Sequence, residues 1–212
     1  MSNFLIIDLE MCRVPKGIKR QALNIPCEII QIGAVLVNEE LKIIDTFQTL
    51  VKPREGIIDK KIQMLTGISQ KDVYGAPDIS KAISDMLDWM PEDTIIVSWS
   101  DNDIFQLQRE LNIKEIDTTS IERYFETWQD CQKTFSEKMH TEKVYRLSEA
   151  LAITDIFYDE NAHDALVDAQ NTAELFIKMA IEEELVLSPY YTSSINDIYD
   201  TSSSLLGSYT YA

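Results

Sequence analysis

Two carboxylates close the first apolar run of this chain, Asp8 and Glu10 in Phe-Leu-Ile-Ile-Asp-Leu-Glu at positions 4–10. Strand side chains alternate faces, so residues two apart point the same way. Asp8 and Glu10 therefore sit side by side next to a segment of buried character. Like charges held that close away from water are costly unless protons or cations neutralise them. Asp103 follows a second apolar run at 94–99, and His163 and Asp168 open a late helical stretch. Carboxylate oxygens suit Mg²⁺ or Mn²⁺, and two such ions can stabilise the attacking and leaving oxygens of a phosphodiester displacement. A histidine, with an unperturbed pKa of about 6.5, can take a proton from water near neutral pH. These residue types together point to metal-dependent phosphodiester hydrolysis.

Two of the acids have rivals. Asp101 and Asp103 both lie just past the strand-like Thr-Ile-Ile-Val-Ser-Trp, where ligands gather in open α/β sheets. A helix N-cap is the ordinary role for such a residue, and it suits Asp101 better. Asp164 shares a helix face with Asp168, being four residues away, but reads as a helix-start charge. His140, in a charged stretch, reads as an exposed side chain.

Several elements must position these groups. Residues 28–37 read as a buried strand and 41–51 as its partner, joined by a turn at 38–40 into an antiparallel hairpin. A short helix is expected at 58–65, stopped by Gly67, and a longer one after Pro77 with Ile79, Ala82, Ile83, Met86, Leu87 and Met90 as its apolar stripe. A strand at 94–99 leads into a helix at 103–111. A further strand is expected at 123–128 and a helix at 130–139. The last long helix is expected at 164–185, with Leu166, Ala169, Ala173, Phe176 and Ala180 as one buried face. Hairpin first and strand–helix alternation afterwards indicate an α/β domain with a mixed sheet.

With 212 residues and 45% hydrophobic content, the chain can bury one full core. No apolar run reaches membrane-span length, and three cysteines without metal-type spacing read as reduced thiols, so a cytoplasmic location is expected. A net charge of −17 excludes broad adhesion to polyanions. Within residues 1–20, however, Arg13, Lys16, Lys19 and Arg20 outnumber Asp8 and Glu10. That local excess either tracks a phosphate backbone or is a solvated loop. Residues 188–212 carry seven Ser, five of the nine Tyr and no Lys or Arg. They read as a flexible or loosely docked tail, or as a docking segment for a protein partner.

The order and spacing of the chemical groups resemble the DEDDh branch of the DnaQ-like 3′–5′ exonucleases, which have an RNase H-like fold. The resemblance rests on Asp8-Leu9-Glu10, on Trp99-x-x-x-Asp103 and on His163-x-Ala165-x-x-Asp168. The segments at 28–34 (EIIQIGA), 45–48 (DTFQ), 51–53 (VKP) and 65–69 (LTGIS) also look like that family. It covers residues 4–182 and is nearest to the ERI-1-like and KapD-like subgroup, whose characterised members mostly act on RNA. It implies an exonuclease domain over residues 1–187 with a mixed sheet flanked by helices. Asp8, Glu10 and Asp168 would hold the ion that activates water, and Asp8 would bridge to a second ion. Asp103 would coordinate directly or through water, and His163 would be the general base. The implied substrate is a nucleic-acid 3′ end, RNA favoured over DNA, and the implied products are nucleoside 5′-monophosphates.

Met11 departs from the Thr or Ala that many relatives carry after Asp-x-Glu, in a stretch that helps hold the terminal nucleotide. Leu65 matches a position that packs near that nucleotide, and is equally readable as a core leucine. No separate basic nucleic-acid-binding domain is evident, so low processivity is expected. Three rival readings are a DNA-directed relative, a binding module that retains the fold, and an aspartyl phosphomonoesterase. The last normally needs Asp-x-Asp, where this chain has Asp-x-Glu.

Overall fold

The computed structural model describes residues 2–15, 25–157 and 163–191. Its first three strands are β1 (Asn3–Arg13), β2 (Cys27–Val37) and β3 (Ile43–Leu50), each antiparallel to the next. Two further strands, β4 (Thr94–Ser98) and β5 (Gln129–Asp130), add in parallel on the other side of β1. The order β3-β2-β1-β4-β5 is the mixed sheet that the sequence implied. Asn38 shapes the β2–β3 turn by accepting the Glu40 and Lys42 amides on its side-chain oxygen, with Leu41 at φ 60°.

Alternation along β1 divides the interior in two. Leu5, Ile7 and Leu9 join a core with α2 (Ile79–Trp89) and α3 (Asn102–Ile113). Ile6 belongs to a second core, with α5 (Cys131–Lys138), α6 (Leu147–Ile153) and α7 (Ala165–Ile181). By the period of two, Asp8 and Glu10 continue the Ile6 side. The helix α1 (Lys60–Thr66) is capped by Asp59, which accepts the Lys61 and Ile62 amides, and ends at Gly67 with φ 73°. That is a left-handed C-terminus favouring glycine.

Three expectations need correction. Residues 123–128 do not form a strand: α4 (Glu122–Phe125) takes the first half of the segment, a turn follows, and the strand begins at Gln129. Phe125, at the end of that helix, packs on Trp128 beyond the turn, with ring centroids 6.2 Å apart. The last helix ends at Ile181 rather than 185, and Ala180 on its expected buried face is exposed. Its buried face instead runs through Ala165, Asp168, Ala169, Thr172, Ala173, Leu175 and Met179. The short helix α6 has no counterpart among the sequence-based expectations, because seven residues are too few to establish a period. Among the described residues, no helix is long and apolar enough to cross a membrane.

A buried ionic triad closes one end of the fold. Lys114, at the C-terminus of α3, contacts Glu28 on β2 and Glu110 on α3, each at 2.6 Å. Both glutamates are fully buried and the lysine nearly so. Glu28 also accepts the amides of Arg54, Glu55 and Gly56 at 2.8, 2.7 and 2.5 Å. Burial would raise the Glu28 pKa, but the Lys114 and amide hydrogen bonds outweigh it and hold the carboxyl below its usual value. Glu110 accepts the Ile29 amide and the Gln106 side chain. Removing one partner of such a group leaves a buried charge uncompensated. Lys114→Met is therefore expected to cost about 3–5 kcal/mol in urea unfolding, and the triple replacement of Glu28, Glu110 and Lys114 by apolar residues to cost less than the single change.

Candidate active site

The local logic of the site begins at Gly33. It pairs with Asp8 across the β1–β2 ladder, and the N-terminus of α7 lies directly on it. A Cβ at position 33 would stand 2.2 Å from the Ala165 carbonyl carbon and from the Leu166 amide nitrogen. Both are backbone atoms, so no side-chain movement could relieve the clash. The small, fully buried residues Ala165 and Ala169 permit close packing, and Gly33 is the further requirement. Its signal in the sequence is a glycine interrupting a β-branched strand, which marks a close backbone approach.

Two glutamines fix the mouth of that helix. Gln31, opposite Glu10 in the ladder, accepts the Ala165 amide at 3.1 Å and donates to the Asp164 carboxylate at 3.0 Å. Gln48 on β3 donates to both Asp164 oxygens at 3.0 Å. Asp164 in turn caps α7 by accepting the Leu166 and Val167 amides. It is thus the helix-start charge that its position suggested. Neither glutamine stands out in the sequence, since an isolated glutamine on a strand carries no motif.

Below this mouth the carboxylates converge. Ligand atoms of Glu10, His163 and Asp168 all lie within 4.8 Å of one another. Glu10 and Asp168 are each 8% exposed, while the His163 side chain faces solvent. The His163 backbone is left-handed at φ 76°, and its amide donates to Asp168 Oδ2 at 3.1 Å. Asp8 and Asp103 are outside that 4.8 Å group but within its field. Burial raises the Asp8 pKa well above the usual carboxylate range, and the charges of Asp103, Asp168, Glu10 and Asp164 raise it further. Glu10 is pushed up to about 8, chiefly by burial and then by Asp168, Asp164 and Asp103. Asp103 is pushed up to about 7 by burial, although the Leu9 amide hydrogen-bonds to its carboxylate. Asp168 is also raised by burial, partly offset by the His163 amide.

The other assigned residues divide. Asp103 is buried in the first turn of α3. Asp101 occupies the N-cap position but makes no capping bond; its carboxylate pairs with Lys133 at 2.5 Å instead. Met11 is partly buried against the first core, beside a β-bulge where Glu10 faces Gln31 and Met11 faces Ile29. Leu65 is 45% exposed on α1, so it is not a core leucine. His140 is exposed. Of the basic residues near the N-terminus, Arg13 is exposed and Lys16, Lys19 and Arg20 lie outside the described residues.

The exonuclease family pattern (RNase_T) matches residues 5–176. The chain belongs to the exonuclease family. Its mixed sheet flanked by helices is the fold of solved exonuclease domains. It is 29% identical over 203 residues to DNA polymerase III subunit epsilon of Aquifex aeolicus, covering 93% of this chain and 87% of that one. It is 29% identical over 196 residues to a PolC-type DNA polymerase III of Caldanaerobacter subterraneus subsp. tengcongensis, covering 92% of this chain. The chain spans 13% of that polymerase's length. The nuclease domain of 3′hExo, a DEDDh family member bound to rAMP, superposes with a TM-score of 0.73 at 22% identity, covering 88% of this chain and 96% of that one.

The donor set fits the divalent ions that this family uses. Oxygen ligands with one imidazole suit a hard divalent cation, and burial, with mutual repulsion added at Asp8 and Glu10, disfavours the charged carboxylates in a way that cations would relieve. The charge of the site has two measurable consequences. Glu10 has its pKa raised on folding, so in chelator its contribution is full below about 4.5 and is lost as pH rises through about 8. Urea unfolding across that window is expected to show wild type losing stability relative to Glu10→Gln as pH rises. Millimolar Mn²⁺ is expected to raise the melting temperature of wild type, a stabilisation of about 2.7 kcal/mol at 100 times the dissociation constant, and to leave Asp8→Ala nearly unshifted.

Proposed function

We propose that this protein is a metal-dependent 3′–5′ exonuclease that removes nucleoside 5′-monophosphates from the 3′ end of RNA. The observation that carries the proposal is the meeting of Glu10, His163 and Asp168 within 4.8 Å, with Asp8 and Asp103 in the same electrostatic cluster. Asp8, Glu10, Asp103 and Asp168 would hold two divalent ions, Mg²⁺ or Mn²⁺. Bound there, the ions would supply positive charge to the scissile phosphate and acidify water. His163 acts as general base, placed by its left-handed backbone at the rim of the cluster and open to solvent, from which water arrives. The hydrogen bond that its backbone amide donates to Asp168 ties the residue to a ligand carboxylate. Met11 and Leu65 line the place of the terminal nucleotide, Leu65 by an exposed apolar face on α1.

RNA is favoured by the ERI-1-like and KapD-like character of the motifs and by the rAMP held by 3′hExo. A DNA-directed reading has its own support, since the two relatives at 29% identity are DNA polymerase III proteins. The cytoplasm is the proposed location. The Tyr-rich segment from 192 onward lies outside the described residues, and its partner-docking role stays a proposal on composition.

Digestion of matched 3′- and 5′-labelled RNA and DNA oligonucleotides with Mg²⁺ or Mn²⁺ tests these points together. Expected are mononucleotide products from the 3′ end, faster loss of RNA, and a fall of at least about 100-fold for Asp8→Ala or His163→Ala, the usual scale for a positioned base. Faster digestion of DNA would reverse the substrate assignment, and Asp8→Ala activity equal to wild type would remove the enzymatic one.

A further inference from the structure

Residues 52–74 form an exposed lobe whose charge runs against the rest of the molecule. They contain Lys52, Arg54, Lys60, Lys61 and Lys71 against Glu55, Asp59 and Asp72, a net +2 within a chain of −17. All five cations are exposed. The lobe is continuous in space as well as in sequence. Gln70 accepts the Ile58 amide at 3.1 Å, Tyr74 donates its amide to the Lys71 carbonyl at 3.3 Å, and Ile57 donates to the Arg13 carbonyl at 3.0 Å. Arg13 adds a sixth exposed cation at that edge.

One aromatic ring stands out on this surface. Tyr74 is 79% exposed, and Lys52 Nζ lies 5.2 Å from its ring centroid. A ring left in water with a cation over part of it offers what single-stranded nucleic acid uses: a stacking face next to a phosphate partner. A cleft of about 440 Å³ runs between the lobe and the mouth of α7. Its walls include Thr66, Gly67, Ile68 and Asp72 from the lobe, and Gln31 and Asp164 from the mouth of α7. Gly67 contributes no side chain to narrow it, and nothing lies within 4 Å of where its Cβ would be.

We infer that Tyr74 and Lys52, with Lys71 beside them, form a platform that grips the single-stranded RNA upstream of the 3′ end, one base stacking on Tyr74. This rests on the nuclease reading of the neighbouring site. An acidic protein thereby gains grip on substrates longer than the cleft. The Glu28 carboxylate, which accepts the Arg54, Glu55 and Gly56 amides, ties this lobe rigidly to the sheet.

The test compares the full chain acting on a 12-nucleotide single-stranded RNA and on a dinucleotide, for wild type, Tyr74→Ala, Tyr74→Phe and Lys52→Ala/Lys71→Ala. Wild-type failure on both substrates would sink the nuclease reading itself, an outcome separate from any change confined to the variants. For Tyr74→Ala, the rise in KM on the 12-mer is expected to exceed that on the dinucleotide about tenfold, the scale of one missing stack. Tyr74→Phe, which keeps the ring, is expected to restore it. The double lysine variant is expected to flatten the logarithmic salt dependence of 12-mer binding, read by fluorescence anisotropy in chelator, by about 0.7 for each phosphate it no longer neutralises. Equal impairment on both substrates, or none on the 12-mer, would overturn the platform.

Discussion

A helix end can touch a strand backbone only where the strand carries no side chain, and the arrangement of this molecule depends on that approach at Gly33. It sets the depth of α7, which carries Asp168, with His163 and Asp164 just before its first turn, up to β1. The ladder partner of Gly33 is Asp8, so the closest approach of helix to sheet falls at the first carboxylate of the site. Gln31 and Gln48 then settle the rotation of the helix by holding Asp164 from two strands. Backbone proximity and side-chain hydrogen bonds thus have separate tasks: one fixes distance, the other orientation.

Bringing acids together this way opposes folding. Burial, with mutual repulsion added at Asp8 and Glu10, drives the Asp8, Glu10 and Asp103 carboxyls toward their protonated forms, and the two apolar cores must outweigh this. β1 is suited to both tasks, because its alternation sends Leu5, Ile7 and Leu9 into one core while Asp8 and Glu10 take the opposite face. Both faces of the strand thus carry apolar packing, with Ile6 in the second core, and the acids end the Ile6 face.

Much of this is legible in the sequence, for reasons that differ by residue. Asp8 and Glu10 follow from the period of two, and α2 from a stripe closed by Pro91. The mixed sheet follows from a hairpin succeeded by strand–helix alternation. The features that stay hidden lack a local pattern. Gly33, Gln31 and Gln48 matter only through contacts with a helix more than a hundred residues later, and one chain shows no such pairing. Residues 123–128 mislead because three aromatic residues in six suggest a strand, whereas the chain there makes one turn of helix before β5. Ala180 misleads because alanine fits both a buried and an exposed face, so Leu175 and Met179 are the better guides.

The Lys114 triad has a mechanical meaning as well. Helix α3 bears Asp103 in its first turn and ends at Lys114, and its 12 residues make a rod of about 18 Å. The lysine is bolted to Glu28 in the sheet, so the rod cannot slide along its axis without tearing a buried ion pair. One end of α3 is therefore an anchor for the other: a salt bridge about three turns away holds the axial position of the Asp103 carboxylate.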